Sequence, residues 1–275
     1  MQTQRDRPAR YDGPVMVNLA GEIPQSLRTR ARWEELGPSR IPSMLVVPDW
    51  DASHSVPTVL WMHGRTVNKE LDPGRYLRWM RGGFGICAVD LPGHGERFDE
   101  VLQQPERTLE VVMQMSNEID GITEALEAYG LFDLTRLAIG GMSAGGMATI
   151  QRLTRPHTFR CATVEATSGS WAHQQHRSMF RHLPAAQLRN LDPMQRLDHW
   201  RDIPFLAIHA RQDEWIDYNG QVAFIDALRT RSERPEQITL ISYDETGAPN
   251  EHAGFGRYAA DAKNRQLEFL KQWLL

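Results

Sequence analysis

The stretch Gly141-Met142-Ser143-Ala144-Gly145 decides the fold of this chain. It follows the apolar run 137–140 and precedes the apolar, small-residue segment 146–150, so it predicts a strand, a sharp turn and a helix. Glycines two residues before and two residues after the serine allow the strand and the helix to approach closely. At such a turn the serine hydroxyl projects out of the sheet, beside the first backbone N–H groups of the helix.

A carboxylate and a histidine follow the serine, each after its own strand. The apolar run 205–210 predicts a strand, and the loop behind it carries Asp213. The run 238–243 predicts another strand, and the loop behind it carries His252. Ligand sites of open α/β sheets lie at the carboxyl ends of the strands. The order serine, aspartate, histidine therefore predicts a catalytic triad at this edge of a sheet.

Two further motifs extend the pattern into a family resemblance. Strand 58–62 ends in His63-Gly64, and strand 85–90 ends in the segment Asp90-Leu91-Pro92-Gly93-His94-Gly95-Glu96-Arg97. Together with the serine turn, these motifs resemble the α/β-hydrolase superfamily. The Gly-His-Gly-Glu-Arg version resembles its dienelactone-hydrolase and prolyl-oligopeptidase-like esterase branch. The resemblance covers roughly residues 28–275.

The resemblance implies an α/β-hydrolase fold, a mostly parallel central sheet with helices on both faces. The strands read as continuous apolar runs, which is typical of strands covered on both sides. We predict an N-terminal extension over 1–26 and one domain over 27–275, which opens with an antiparallel hairpin at 30–36 and 41–47. The remaining predicted strands are 136–142 and 161–167, and the predicted helices are about 72–82, 107–129, 144–154, 219–230 and 257–274.

Residues 169–202 are longer than a simple connection between two strands requires. They mix aromatic side chains, Trp171 and Phe180 among them, with four histidines. We predict a small helical cap of two or three short helices that lines the substrate pocket. The alternative is an ordinary long connecting helix with extra turns.

The predicted roles follow from the chemistry of a serine hydroxyl, which is a poor nucleophile at neutral pH. His252 is the candidate base, and Asp213 would hold its tautomer and stabilise the imidazolium. The backbone N–H of Ala144, at the start of a helix, is a donor for the oxyanion. The family resemblance adds the backbone N–H of Arg65 as the second donor.

Several assignments have competitors. Asp217 and Glu214 are alternatives for the acid, although the Asp-x-x-Ile spacing from Asp213 matches the family position. The Arg65 guanidinium either pairs with a substrate carboxylate or points to solvent and contributes only its amide. Side chains predicted to wall the pocket are Trp171, Trp215 and Met142, and those predicted to fix loops are His63, Asp90, His94 and Arg97.

Composition argues against several classes of partner. The net charge of −4 gives no electrostatic basis for binding nucleic acid or an anionic membrane, and no apolar run approaches the ~18 residues of a membrane span. The charged N-terminus lacks the apolar stretch of a signal peptide, so a cytoplasmic location is expected. Cys87 and Cys161 fall in predicted strands, and a disulfide between them is not expected. A homodimer through an edge strand or the cap remains open.

The expected function is a serine hydrolase that cleaves carboxylic esters of small or medium molecules through an acyl-enzyme. No cofactor is expected, and His173 and His176 lack a further ligand at metal-binding spacing. The dienelactone-hydrolase type usually carries cysteine where this chain has Ser143, which favours general esterase chemistry. Peptidases of the related branch generally carry a propeller domain and are less expected. The alternatives are a thioesterase, a lactonase, a carbon–carbon bond hydrolase, or a non-catalytic ligand-binding protein of the same fold.

Overall fold

Eight strands form a single sheet in the computed structural model, which describes residues 23–275. The strand order is β1-β2-β4-β3-β5-β6-β7-β8. β1 and β2 form the predicted hairpin, β2 pairs with β4 antiparallel, and all other pairs are parallel. The strands are β1 Ala31–Leu36, β2 Ile41–Val46, β3 Val56–Met62, β4 Gly85–Val89, β5 Phe132–Met142, β6 Cys161–Glu165, β7 Phe205–Ala210 and β8 Ile238–Tyr243.

The helices cover both faces of the sheet, and alternate strand residues serve the two faces. Leu60 and Met62 of β3 pack with α3, α4 and α6, whereas Val59 and Trp61 pack with α1, α2 and α7. This alternation explains why the strands read as unbroken apolar runs. The helices are α1 Gln25–Arg28, α2 Pro73–Arg81, α3 Thr108–Glu127, α4 Ala144–Leu153, α5 Ala185–Leu191, α6 Tyr218–Arg231 and α7 Ala259–Leu274.

The predicted α/β-hydrolase fold is confirmed, with small shifts at the ends of elements. β6 ends at Glu165, two residues before the predicted end. Ile23 is buried in the same core cluster as Leu27, so the packed domain includes a residue that the sequence assigned to the extension, whose residues 1–22 lie outside the described part. Cys87 and Cys161 are free and buried. Every helix in residues 23–275 is too short or too polar to span a bilayer.

The segment 169–202 consists of short helices, as predicted, but its apolar side chains point into the core. It contains two short 3₁₀ helices, at 172–174 and 193–199, and α5 between them. The four side chains that anchor it in the core are Trp171, Phe180, Leu188 and Leu197. Trp171 stacks on Phe180 with ring centroids 5.8 Å apart.

Candidate active site

Ser143 occupies a strained turn between β5 and α4. Its φ is +51° and its ψ is −116°, a conformation that a residue with a side chain rarely adopts. A Cβ atom at Gly141 would lie 2.4 Å from the carbonyl carbon of Gly145, and one at Gly145 would lie 2.4 Å from the carbonyl oxygen of Met62. Both glycines are therefore required, because any side chain would push the strand, the helix and β3 apart.

Two hydrogen bonds from the end of β6 hold this turn. The Ser143 N–H donates to the Glu165 carbonyl at 2.9 Å, and the Thr167 hydroxyl donates to the Ser143 carbonyl at 2.9 Å. The backbone on both sides of the serine is thus fixed to the neighbouring strand. Its hydroxyl is left to face the edge of the sheet where the loops gather.

Ser143, His252 and Asp213 form one hydrogen-bonded chain. His252 Nε2 lies 3.0 Å from Ser143 Oγ, and His252 Nδ1 lies 2.8 Å from Asp213 Oδ2. All three residues are buried. Since Asp213 accepts at Nδ1, the neutral imidazole carries its proton there and presents the Nε2 lone pair to the serine hydroxyl. The alternatives fall elsewhere, because Glu214 binds Asn250 and Asp217 caps α6.

The Asp213 carboxylate is surrounded by donors. Oδ1 accepts the backbone N–H groups of Trp215 at 2.9 Å and Ile216 at 2.8 Å. Oδ2 receives His252 and also lies 3.2 Å from Nε2 of His209. Burial raises the pKa of Asp213, but interactions with His209 and His252 outweigh it and lower that pKa to about 2. The acid is therefore ionised over the whole working range of pH.

The loops that carry the acid and the base are tied to each other and to the cap segment. The Glu214 N–H donates to the Asn250 carbonyl at 3.0 Å, which joins the two loops next to Asp213 and His252. From the cap, the Gln174 side chain accepts the Asp217 N–H at 2.8 Å, and Arg177 donates to the Glu214 carbonyl at 2.5 Å. The cap segment thus supports the acid loop from outside.

The two candidate oxyanion donors, the backbone N–H groups of Ala144 and Arg65, belong to segments next to the serine. Ala144 is the first residue of α4, so its N–H has no acceptor within the helix. A Cβ at Gly64 would lie 3.4 Å from the Ser143 Cβ, which places the Gly64–Arg65 peptide against the serine. His63 accepts the Leu91 N–H at Nε2 (3.1 Å) and donates from Nδ1 to the Gly64 carbonyl (2.5 Å). That bond fixes the peptide whose other side carries the Arg65 N–H.

The Arg65 side chain takes neither of the two directions that the sequence left open. Its guanidinium donates to the Thr108 hydroxyl at 2.6 Å and to the Gln103 carbonyl. These contacts hold the segment before α3 against the loop after β3. The side chain is therefore bound within the protein, by residues some forty positions further along the chain, rather than directed at a substrate carboxylate or freely at solvent.

A cavity of about 300 Å³ opens beside the turn, between β3, α2 and α7. Gly64, Met142 and Ala253 line it on the side of the serine and histidine, and Leu71 and Lys263 line it further out. Met142 thus lies where the sequence predicted a pocket residue. A larger cavity of about 500 Å³ lies between α3 and residues 156–159, at the opposite ends of the strands.

The two predicted pocket tryptophans have different positions. Trp215 is 48% exposed, and its ring centroid lies 4.9 Å from that of His252, so it covers the outer side of the imidazole. Trp171 is fully buried in the core, and no residue of 169–202 is among the described residues that line the cavity beside Ser143. The prediction that Trp171 walls this pocket is therefore wrong.

Two buried ion clusters lie close to the site. The sequence analysis identified neither of the cations at their centres, Lys69 and Arg75. Lys69 donates to Asp90 at 2.8 Å and to Glu96 at 2.5 Å. Arg75 makes a bidentate pair with Glu165 at 2.7 and 2.9 Å, beneath the serine turn. No spacing in the sequence points to Lys69 or Arg75, because each pairs with a carboxylate at a strand end far away in sequence.

The comparisons with known proteins show the family and the fold. Residues 75–275 match the sequence profile of the prolyl oligopeptidase family. The chain belongs to the prolyl oligopeptidase family. The members of this family are serine hydrolases, and this chain has their α/β-hydrolase fold.

The relatives include both esterases and peptidases. The putative esterase YitV of Bacillus subtilis is 26% identical over 224 residues, which are 74% of this chain and 87% of that protein. Human prolyl endopeptidase FAP is 23% identical over 198 residues, 67% of this chain but 26% of that protein. The chain thus spans about a quarter of the length of the peptidases that it matches. The structure of TT1662 from Thermus thermophilus superposes with a TM-score of 0.68 at 23% identity, over 89% of this chain and 98% of that one.

Proposed function

We propose that this chain is a serine esterase that cleaves carboxylic esters of small or medium molecules through an acyl-enzyme. The observation that carries the proposal is the position of His252, with one ring nitrogen 3.0 Å from the Ser143 hydroxyl and the other 2.8 Å from Asp213. A histidine held between a hydroxyl and a buried carboxylate can remove the hydroxyl proton as a new bond forms.

In the first half of the reaction, Ser143 Oγ attacks the ester carbonyl while His252 Nε2 takes its proton. The N–H groups of Ala144 and Arg65 stabilise the resulting oxyanion, and losing one such donor typically costs ~100- to 1000-fold in turnover. His252 then protonates the departing alcohol, which leaves an acyl group on the serine. A water molecule, deprotonated by the same imidazole, releases the acid and restores the serine.

Ester rather than peptide bonds are proposed because YitV, of which the aligned residues cover 87%, is named a putative esterase. Peptide hydrolysis is the second candidate, and the similarity to FAP favours it. An alkoxide leaves more readily than an amide anion, so the same residues act on esters with less demand on the acid step.

The test is hydrolysis of a p-nitrophenyl ester series, acetate to palmitate, and of a matched peptidyl p-nitroanilide series, by wild type and Ser143→Ala. Serine-dependent turnover of the esters that exceeds that of the anilides supports the esterase. Turnover of the anilides at comparable or greater rates would favour a peptidase. A wild type that is folded, hydrolyses neither series and does not react with a fluorophosphonate would contradict the catalytic assignment itself.

A further inference from the structure

His209 is the unusual residue of β7. The strand reads Phe-Leu-Ala-Ile-His-Ala, and His209 is its only polar side chain. The residue is fully buried, although the imidazole has a cost of burial that an apolar residue of similar size would not have. Among the described residues, none hydrogen-bonds its Nδ1. Packing alone does not account for a histidine here, because a leucine would fill the space without an unsatisfied nitrogen.

The other ring nitrogen faces the acid of the proposed triad. His209 Nε2 lies 3.2 Å from Asp213 Oδ2, the same oxygen that receives His252 at 2.8 Å. The contact is longer than that of His252 and falls short of hydrogen-bond geometry, so His209 acts on the carboxylate mainly through the dipole of its N–H. With Trp215 and Ile216 on Oδ1, donors then surround the carboxylate on all sides.

The surroundings select one protonation state of His209. The Tyr218 ring of α6 lies 5.7 Å away in an edge-on arrangement, and the Tyr218 hydroxyl in turn bonds Ser242 of β8 and Arg211. Asp213 is the one acceptor that the ring meets among the described residues, so the neutral form carries its proton on Nε2 and directs it at Oδ2.

We infer that His209 is a positioning residue of the proposed catalytic relay, which holds Asp213 Oδ2 in the plane of His252 and reduces the negative charge that the imidazole of His252 senses. This inference rests on the proposed function of the site. Without the His209 N–H, the carboxylate turns more freely and its charge is less compensated. His252 then holds a proton more tightly, and its activity as a base begins at a higher pH.

The experiment compares wild type, His209→Leu, His209→Gln and His209→Asn. Leucine preserves volume and removes the donor, glutamine can place an amide N–H near the original Nε2, and asparagine is equally polar but too short to reach Oδ2. Three quantities are measured: the pH dependence of kcat/KM, the rate of fluorophosphonate labelling of Ser143, and the titration midpoint of isotope-labelled His252 by NMR. Melting temperatures show how much each substitution affects packing.

For His209→Leu and His209→Asn we expect the acid limb of the pH profile and the NMR midpoint to move up by about half a pH unit to one unit, and kcat to fall about 10-fold at unchanged KM. His209→Gln should keep the acid limb, the NMR midpoint and kcat close to their wild-type values. Equal profiles in all four proteins, or equal loss in the leucine and glutamine variants, would overturn the inference and leave a packing role. Should the leucine variant fail to fold, the glutamine and asparagine pair decides alone.

The NMR midpoint separates this inference from the proposed function. If wild type neither labels nor hydrolyses any substrate while the midpoint of His252 still moves in His209→Asn, the esterase proposal fails and the coupling between the two histidines stands. If wild type labels and hydrolyses but neither the midpoint nor the acid limb moves, the esterase proposal stands and the role of His209 falls.

Discussion

Two buried aspartates follow strands in the described part of the chain, and each pairs with a histidine from another loop, but only one of these two histidines reaches a serine. Asp90 follows β4 and lies 3.6 Å from His63, whereas Asp213 follows β7 and lies 2.8 Å from His252. In both cases burial raises the pKa of the carboxylate, and its polar partners outweigh burial and lower that pKa to about 2. By charge and burial alone the two pairs are almost indistinguishable.

What differs is the use of the second ring nitrogen. Both nitrogens of His63 bind backbone groups, the Leu91 N–H and the Gly64 carbonyl, so the ring has no lone pair or proton left to exchange. In His252, Nδ1 binds the Asp213 carboxylate and Nε2 faces the Ser143 hydroxyl. A buried Asp–His pair is therefore a base only where its free nitrogen meets a group that can lose a proton. Elsewhere it is a device that fixes a loop.

The largest expected effect comes from the removal of the Ser143 hydroxyl or the His252 imidazole. Ser143→Ala and His252→Ala should each lower kcat by ~10⁴-fold or more, and the double variant should lose little beyond either single one, because the three side chains act as a unit. Steady-state hydrolysis of the preferred ester measures this. Melting temperatures close to wild type serve as the control, and simple multiplication of the two losses would argue that the residues do not act together.

The second prediction compares the same substitution, aspartate to asparagine, at the two positions. Asp213→Asn should lower kcat by ~10⁴-fold with little loss of stability, because the amide favours the wrong imidazole tautomer while it fills the same space. Asp90→Asn should do the reverse. It leaves Lys69 with a weaker buried partner, at a cost of about 3 kcal/mol in the free energy of unfolding, and it lowers kcat by less than ~10-fold because only the loop that holds the oxyanion donor relaxes.

Urea unfolding and ester kinetics, measured on both Asp213→Asn and Asp90→Asn, check this comparison. The stabilising effect of Asp90 depends on pH in a definite direction. Its pKa is lowered on folding, so the contribution is present above the unfolded value of about 4 and disappears as the pH falls toward about 2. If Asp90→Asn proved as inactive as Asp213→Asn while it remained fully stable, the distinction between the two pairs would be wrong.

The third prediction concerns how many protons switch the site off. Because the pKa of Asp213 lies at about 2, the carboxylate stays ionised as the solution is acidified to pH 4, so the acid contributes no proton to the loss of activity. The logarithm of kcat/KM should therefore fall with a slope of one. A stopped-time assay with a neutral ester measures the profile. A slope of two below pH 6 would mean that Asp213 titrates with its partner.

The sequence was sufficient for the elements that local rules govern. The glycines around Ser143, the apolar strands and the order of the serine, acid and base predict the sheet and its reactive edge, because each depends on neighbours within a few residues. Local periodicity shows that a residue is buried, but not which neighbour it meets. Trp171 and Trp215 therefore looked alike, and only the packed structure separates the first, in the core, from the second, against His252.

The residues that sequence reasoning missed are those whose meaning depends on distant partners. In the sequence, His209 is only one residue of an apolar strand. Its contact with Asp213 is visible only in the folded structure. Lys69 and Arg75 carry no sequence signal of burial, although both are buried against strand ends. Burial of a cation requires several acceptors at once, and no pattern in a single stretch of sequence shows that such acceptors converge.

The smallest expected effect concerns Arg65, whose side chain contrasts with its own backbone. The N–H belongs to the proposed oxyanion site, whereas the guanidinium is bound to Thr108 and to the Gln103 carbonyl. A side chain so engaged cannot select acidic substrates. In Arg65→Leu, the ratio of kcat/KM for p-nitrophenyl hemisuccinate to that for p-nitrophenyl butyrate should stay within about 2-fold of wild type, while stability falls by about 1–2 kcal/mol as the loop contacts are lost.

Arg65→Lys is the matched control, since it keeps the charge but cannot reproduce the two-pronged contact of the guanidinium. Both variants should lose stability to a similar extent and keep the same ratio between the two esters. A selective loss of about 10-fold or more on the hemisuccinate in Arg65→Leu, restored in Arg65→Lys, would show that the charge reaches the substrate. The guanidinium would then have to leave Thr108 during the reaction, and the loop before α3 would become part of substrate binding rather than its fixed support.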